Sequence, residues 1–188
     1  MTAPPSTSST DEELIAAANR GDASAFEALY YRYREWVIGL AQRFACDNGE
    51  ALDVLQDTFL YFWRKFPGFA LRARLTTFLY PVVRNESISK LRLHAREVVV
   101  EELPLVPIPE RIGDTIGLRQ ELAGALRDLS AAHREVLVLR FVDEMTVAEI
   151  AAATGIAEGT VKSRIHHAVR RLREDPRMRL YWAEQRRE

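Results

Sequence analysis

The sequence predicts an all-α protein made of two small helical domains. Three observations carry that prediction: apolar residues recur every three or four positions through most of the chain, no stretch alternates convincingly as a strand, and one proline-rich segment breaks the helical period. A length of 188 residues at 47% hydrophobic content suits one compact domain or two small ones, and the break favours two.

Residues 1–10, MTAPPSTSST, have no period and no apolar core of a secretory signal, so a disordered N-terminus is expected. From 11 to 96 the spacing is helical and defines a first domain. In FEALYYRYREWVIGLAQRF, the positions Phe26, Leu29, Tyr33, Trp36, Val37, Leu40 and Phe44 line one face. In ALDVLQDTFLYFWRKF, the positions Leu52, Leu55, Phe59, Phe62 and Phe66 form a second stripe, which is read as core. A third helix begins near Thr76 or Thr77 and runs through FLYPVVRNESISKLRLHAR. Pro81 requires either a kink or a start late enough to put it in the first turn.

Residues 97–117, EVVVEELPLVPIPERIGDTIG, contain three prolines at short intervals and read as an extended linker. Helical spacing returns at Leu118, Leu122, Ala125, Leu126 and Leu129, and again in SAAHREVLVLRF after a Ser130 N-cap. The second domain covers 118–174, and 175–188 form a tail too short for a further domain.

The net charge of −1 conceals strong segregation. Four Lys and Arg face ten acids in 1–60, eight face one in 61–96, five face twelve in 97–158, and nine face four in 159–188. The basic stretches, at +7 and +5, are candidate phosphate-binding surfaces. Cys46 is the only cysteine, which excludes an internal disulfide and a multi-cysteine zinc site and fits a reducing, cytoplasmic location. No apolar run approaches the roughly 20 residues of a membrane span, so no membrane insertion is expected.

The second basic stretch begins within MTVAEIAAATGIAEGTVKSRIHHAVRRL. Thr146 followed by Glu149 matches a capping box, Gly155 supplies a turn, and another helix starts near Ala157 or Glu158. That is a helix-turn-helix, whose second helix enters the DNA major groove. At about 100° per residue Val161, Ile165, Ala168 and Leu172 share one side, with Gly159, Ser163, His166, His167 and Arg170 opposite. Lys162, Arg164 and Arg171 flank the polar face, where cations reach phosphates while shorter groups approach base edges. His166 and His167 are neighbours that diverge by about 100° with no cysteine nearby, so neither a metal nor any other cofactor is expected.

The segments LDVLQDTFLYFWRKF, TTFLYPVVRNESISKL and REVLVLRFVDEMTVAEIAAATGIAEGTVKSRIHHAVRRL together resemble the extracytoplasmic-function (ECF) group of the sigma-70 family. The resemblance covers about residues 11–173. It implies a sigma region 2-like domain and a region 4-like domain, with core RNA polymerase (β′ clamp helices and β flap) and promoter DNA as partners. An anti-sigma factor is a further partner it suggests. It implies that Asp53, Gln56 and Asp57 face the polymerase. For the separated strand of the minus-10 element it points to Asn85, whose amide both donates and accepts, and to Ser89 one turn on. Arg72, Arg74, Arg84, Lys90, Arg92 and Arg96 would hold that strand's phosphates. Minus-35 reading falls to Gly159, Lys162, Ser163, Arg164, His166, His167, Arg170 and Arg171. Two positions depart from the family's habit: Phe78 stands where Trp is common, and Pro81 where a basic residue is common. No nucleophile and base pair or phosphate-binding glycine loop is present, so the chain reads as a transcription initiation factor and not an enzyme.

Overall fold

A computed structural model describes residues 9–44, 46–94 and 116–178. Of the N-terminus expected to be disordered over 1–10 and the linker read over 97–117, residues 1–8 and 97–115 lie outside the described residues, as do Arg96 and the last ten residues of the tail; Thr10 caps α1, and Ile116 and Gly117 begin α5. All regular structure among the described residues is helical. The chain divides into two compact units, Met1–Pro104 and Leu105–Glu188.

The first unit contains α1 (Asp11–Asn19), α2 (Ala23–Arg43), α3 (Asn48–Trp63) and α4 (Leu75–His94). Three of the four helix starts are capped by side chains. Thr10 and Glu13 form a capping box on α1, Asp47 and Glu50 form another on α3, and Asp22 accepts from the Ser24 and Ala25 amides at 3.0 and 3.4 Å. Gly21, at φ 91°, makes the tight corner between α1 and α2.

Helix α2 packs on α1, α3 and α4, and α3 packs on α4. Its core is aromatic. Phe62 is fully buried, with ring centroids 5.4 Å from Phe26, 5.2 Å from Phe66, 5.1 Å from Phe69 and 5.5 Å from Phe78. Burial of one such ring contributes roughly 2–3 kcal/mol.

One expectation needs correction here and a second is narrowed. Leu52 is 55% exposed and not core. The buried face of α3 is Ala51, Val54, Leu55, Thr58, Phe59 and Phe62, and Leu52 lies one residue outside it. Helix α4 starts at Leu75, so of the two expected accommodations of Pro81 the late start is not used, and the proline lies in the helix interior. Lacking an N–H, Pro81 leaves the Thr77 carbonyl without its helical donor, a loss offset by burial of Leu75, Leu79, Tyr80 and Val83 around it.

The second unit contains α5 (Ile116–Arg127), α6 (Ala131–Phe141), α7 (Val147–Thr154) and α8 (Glu158–Glu174), then a 3-10 turn at Pro176–Met178. One aliphatic cluster of its core buries Leu129, Leu137 and Ala168 together, with Leu126, Ile165, Val169 and Leu172 packed against them, and Val136, Leu139, Met145, Ile150 and Val161 are buried as well. Ser130 caps α6 by accepting from the His133 amide.

Candidate nucleic-acid and polymerase interfaces

In the second unit, local chemistry sets the angle at which α8 is displayed. Thr146 Oγ1 accepts from the Glu149 amide at 3.2 Å, and Glu149 Oε2 accepts from the Thr146 amide at 2.8 Å. The box starts α7. Gly155 ends it at φ 73°, donating its N–H to the Ala151 carbonyl. A Cβ there would meet nothing within 4 Å, so it is the left-handed backbone, not space, that favours glycine.

Helix α8 then divides cleanly. Val161 and Ala168 are buried, while Gly159, Lys162, Ser163, His166, His167, Arg170 and Arg171 are exposed and Arg164 is half-buried. Lys162 and Arg170 make only long, exposed pairs, 3.9 Å to Glu158 and 3.6 Å to Glu174. Such pairs are worth a few tenths of a kcal/mol and yield readily to a phosphate. The His167 ring lies 6.4 Å from His133 of α6, whose Nδ1 is 2.9 Å from Ser130 Oγ. Partial burial, then the proximity of His167 and Arg164, lowers the His133 pKa.

Arg134 is a residue that reading the sequence missed. It is buried, and its guanidinium donates to the Leu126, Arg127 and Leu129 carbonyls, each at 2.9 Å. It thereby satisfies the exposed end of α5 and joins that helix to α6. The available signal was a lone arginine early in the apolar run REVLVL.

In the first unit, Asp53 and Gln56 are exposed on α3 and Asp57 is half-buried. Their face also carries Leu52, Leu60 and Trp63, at 55%, 46% and 46% exposure, which the sequence reading did not include. The result is a mixed apolar and acidic surface. On α4, Asn85, Ser89 and Arg92 are exposed at spacings that place them on one face, and Arg84 is half-buried beside them. Arg72 and Arg74 are exposed on the connection leading into α4.

Lys90 is placed differently. Its Nζ lies 3.2 Å from Asp53 and 3.6 Å from Asp57, bringing together residues assigned to the strand and to the polymerase. The hydrogen bond to Asp53 raises its pKa. Phe78 lies within the aromatic cluster, its centroid 4.8 Å from Phe69.

Among the described residues no cluster of His, Cys, Asp or Glu is arranged to hold a metal ion, and no helix is long and apolar enough to cross a membrane.

Known proteins resemble this chain in sequence and fold. Residues 29–97 match the family described as Sigma-70 region 2, and residues 125–174 match Sigma-70, region 4. The chain is 34% identical over 165 residues to the ECF RNA polymerase sigma factor SigL of Mycobacterium tuberculosis, covering 85% of this chain and 93% of SigL. It is 27% identical over 180 residues to the ECF RNA polymerase sigma factor SigW of Bacillus subtilis, covering 88% and 96%. A solved complex of the sigma factor RpoE with the anti-sigma factor NepR from Bartonella quintana aligns at TM-score 0.61 and 28% identity, over 79% of this chain and 94% of RpoE. CnrH, solved with the cytosolic domain of CnrY, aligns at TM-score 0.61 and 24% identity over 86% and 93%, a likeness of fold.

Proposed function

The chain belongs to the ECF group of the sigma-70 family of RNA polymerase sigma factors, and from that premise we propose that it selects promoters by two contacts made from two units. The α3 face carrying Asp53, Gln56 and Asp57 docks on the β′ clamp helices of core polymerase, with Leu52, Leu60 and Trp63 supplying the apolar part of the contact. Asn85 and Ser89 take base edges of the separated minus-10 strand, and Arg72, Arg74, Arg84 and Arg92 hold its phosphates. Lys90 contributes least, since it must first leave Asp53 and Asp57.

The second unit, seated on the β flap, lays α8 in the major groove at the minus-35 element. Gly159, Ser163, His166 and His167 approach bases there, while Lys162, Arg164, Arg170 and Arg171 reach phosphates. The observation that carries this reading is the division of α8 into a buried apolar side and an exposed donor-rich side, held by a capped turn. Catalysis belongs to the polymerase, in the cytoplasm. RpoE is held by the anti-sigma factor NepR, and an anti-sigma factor is the partner we assign to this chain as well.

Run-off transcription over a fragmented genomic library, with core polymerase alone and with this protein added, tests the proposal. Discrete starts that appear only with the protein support it. Folded protein that adds no starts, yet binds duplex palindromes without polymerase, would instead identify a free-standing regulator.

A further inference from the structure

We propose that Asn19 is a positioning residue for strand capture, its amide latching the corner at residues 66–69 of the connection that carries Arg72 and Arg74. The inference rests on the reading that those two arginines hold the melted strand.

Asn19 is the last residue of α1. Across about fifty positions of sequence, its Oδ1 accepts from the Gly68 and Phe69 amides at 2.6 and 3.1 Å, and its Nδ2 donates to the Phe69 carbonyl at 2.8 Å. Two accepted backbone bonds settle which end of the amide is oxygen. Gly68 adopts φ 104°, a conformation that turns the chain there and that L side chains rarely adopt.

Besides the Phe66 amide, which donates to the Trp63 carbonyl at 3.0 Å, the other supports of this corner are aromatic. Phe66 and Phe69 sit 5.7 Å apart and both pack on Phe62. Apolar contacts hold a ring in place but are non-directional, so they leave the orientation of the peptide between Gly68 and Phe69 undetermined. The three hydrogen bonds supply that direction. Farther on, the Arg74 carbonyl accepts from the Thr77 amide at 2.9 Å and joins the segment to α4. Arg72 and Arg74 are thus carried between a polar latch and a helix start. An ionised aspartate could accept both N–H groups but could not donate to the Phe69 carbonyl, whereas the carboxamide accepts at Oδ1 and donates from Nδ2.

The test uses holoenzyme assembled from core RNA polymerase and each variant, with a fluorescent single-stranded DNA pool of randomised sequence as probe and core polymerase alone as baseline. Asn19→Ala and Gly68→Ala attack the latch from opposite sides, and a Cβ on Gly68 meets nothing within 4 Å, so its effect is on the backbone. Each is expected to weaken the strand affinity added by this chain by about three- to tenfold, the scale of a net hydrogen-bond contribution of about 1 kcal/mol. Asn19→Asp is expected to fall between Asn19→Ala and wild type. Assembly with core polymerase and affinity for a randomised duplex pool should stay at wild-type values.

A purely structural Asn19 would lower the melting temperature yet leave strand affinity intact at a temperature where every variant is folded. That result, or wild-type strand affinity in both Asn19→Ala and Gly68→Ala, overturns the latch. The Arg72→Ala/Arg74→Ala double variant separates the two layers of the argument. Unchanged strand affinity in that variant removes the reading on which the latch rests, whereas loss there with none in the latch variants defeats the latch alone.

Discussion

The candidate nucleic-acid residues are displayed in two ways: on a helix face, as along α8 and along α4 at Arg84, Asn85, Ser89 and Arg92, and on an irregular connection, as at Arg72 and Arg74. In the second unit the candidate side chains ride on α8, and their direction follows from burying Val161 and Ala168 on the opposite side. In the first unit, Arg72 and Arg74 lie on an irregular connection with no helical face to aim them, and a side-chain amide from α1 holds its corner. The difference teaches that apolar packing suffices to aim residues on regular structure, because the helix propagates orientation from residue to residue. A connection lacks that propagation and needs directional bonds.

The largest expected effect tests whether the first unit depends on its aromatic core. Phe62→Ala should destabilise that unit by about 3–5 kcal/mol, through lost transfer energy and the cavity left behind. Hydrogen exchange resolved by peptide should then show residues 9–94 opening while 121–178 stay protected. Loss of protection in both units would mean that they unfold as one.

A somewhat smaller effect is expected in the other unit, at a buried polar side chain in place of an aromatic ring. Arg134→Ala removes the guanidinium from three carbonyls, of which Leu126 keeps the Leu129 amide at 3.3 Å, and should cost about 2–4 kcal/mol, confined to 121–178 in the same measurement. A change below about 0.5 kcal/mol would place those carbonyls in solvent and remove the contrast with Phe62.

The capping boxes provide a matched pair across the units. Asp47→Ala and Thr146→Ala should each cost about 1 kcal/mol in urea unfolding, since each removes one cap of the same geometry. A marked inequality would show which helix start is reinforced by tertiary packing.

The smallest effect concerns pH. The His133 pKa is lowered in the folded protein, so folding favours the neutral ring, and the folded state binds fewer protons than the unfolded one as pH falls through the ordinary value of about 6.5. The stability this group confers is present above that value and is lost as pH drops toward the folded value. Facing it are His167, Arg164 and the Ser130 hydroxyl. Melting of the second unit should therefore occur at lower temperature on going from about pH 7 to about pH 5.5, and the decline should be shallower in His133→Gln. Equal slopes in the two proteins would rule out His133 as the source.

Much of the fold was legible in advance because its signals are local. The Thr146 and Glu149 box, the Ser130 cap and the Gly155 turn each depend on residues within four positions of one another, and the structure reproduces all three. The α8 wheel was equally legible, because a 3.6-residue period assigns faces without reference to the rest of the chain. Leu52 was misassigned for a related reason: on α3 the apolar residues nearly encircle the helix, so periodicity offers two candidate stripes and only packing against α2 and α4 selects one. For Pro81 the sequence left two outcomes open, a kink or a late start, and the helix start at Leu75 removes the second.

The sequence by itself determined the all-helical class, the helix starts set by capping residues and the polar face of α8, since each is written in residues a turn or less apart. Only the tertiary structure decided that Lys90 meets Asp53 and Asp57, that Arg134 closes the end of α5, and that Asn19 holds Gly68 and Phe69. The physical reason is distance along the chain. The Lys90 and Asn19 contacts join residues 33 to 50 positions apart, and the Arg134 contacts cross from one helix to the next. No local propensity encodes such partners, and they come together only once the cores have packed.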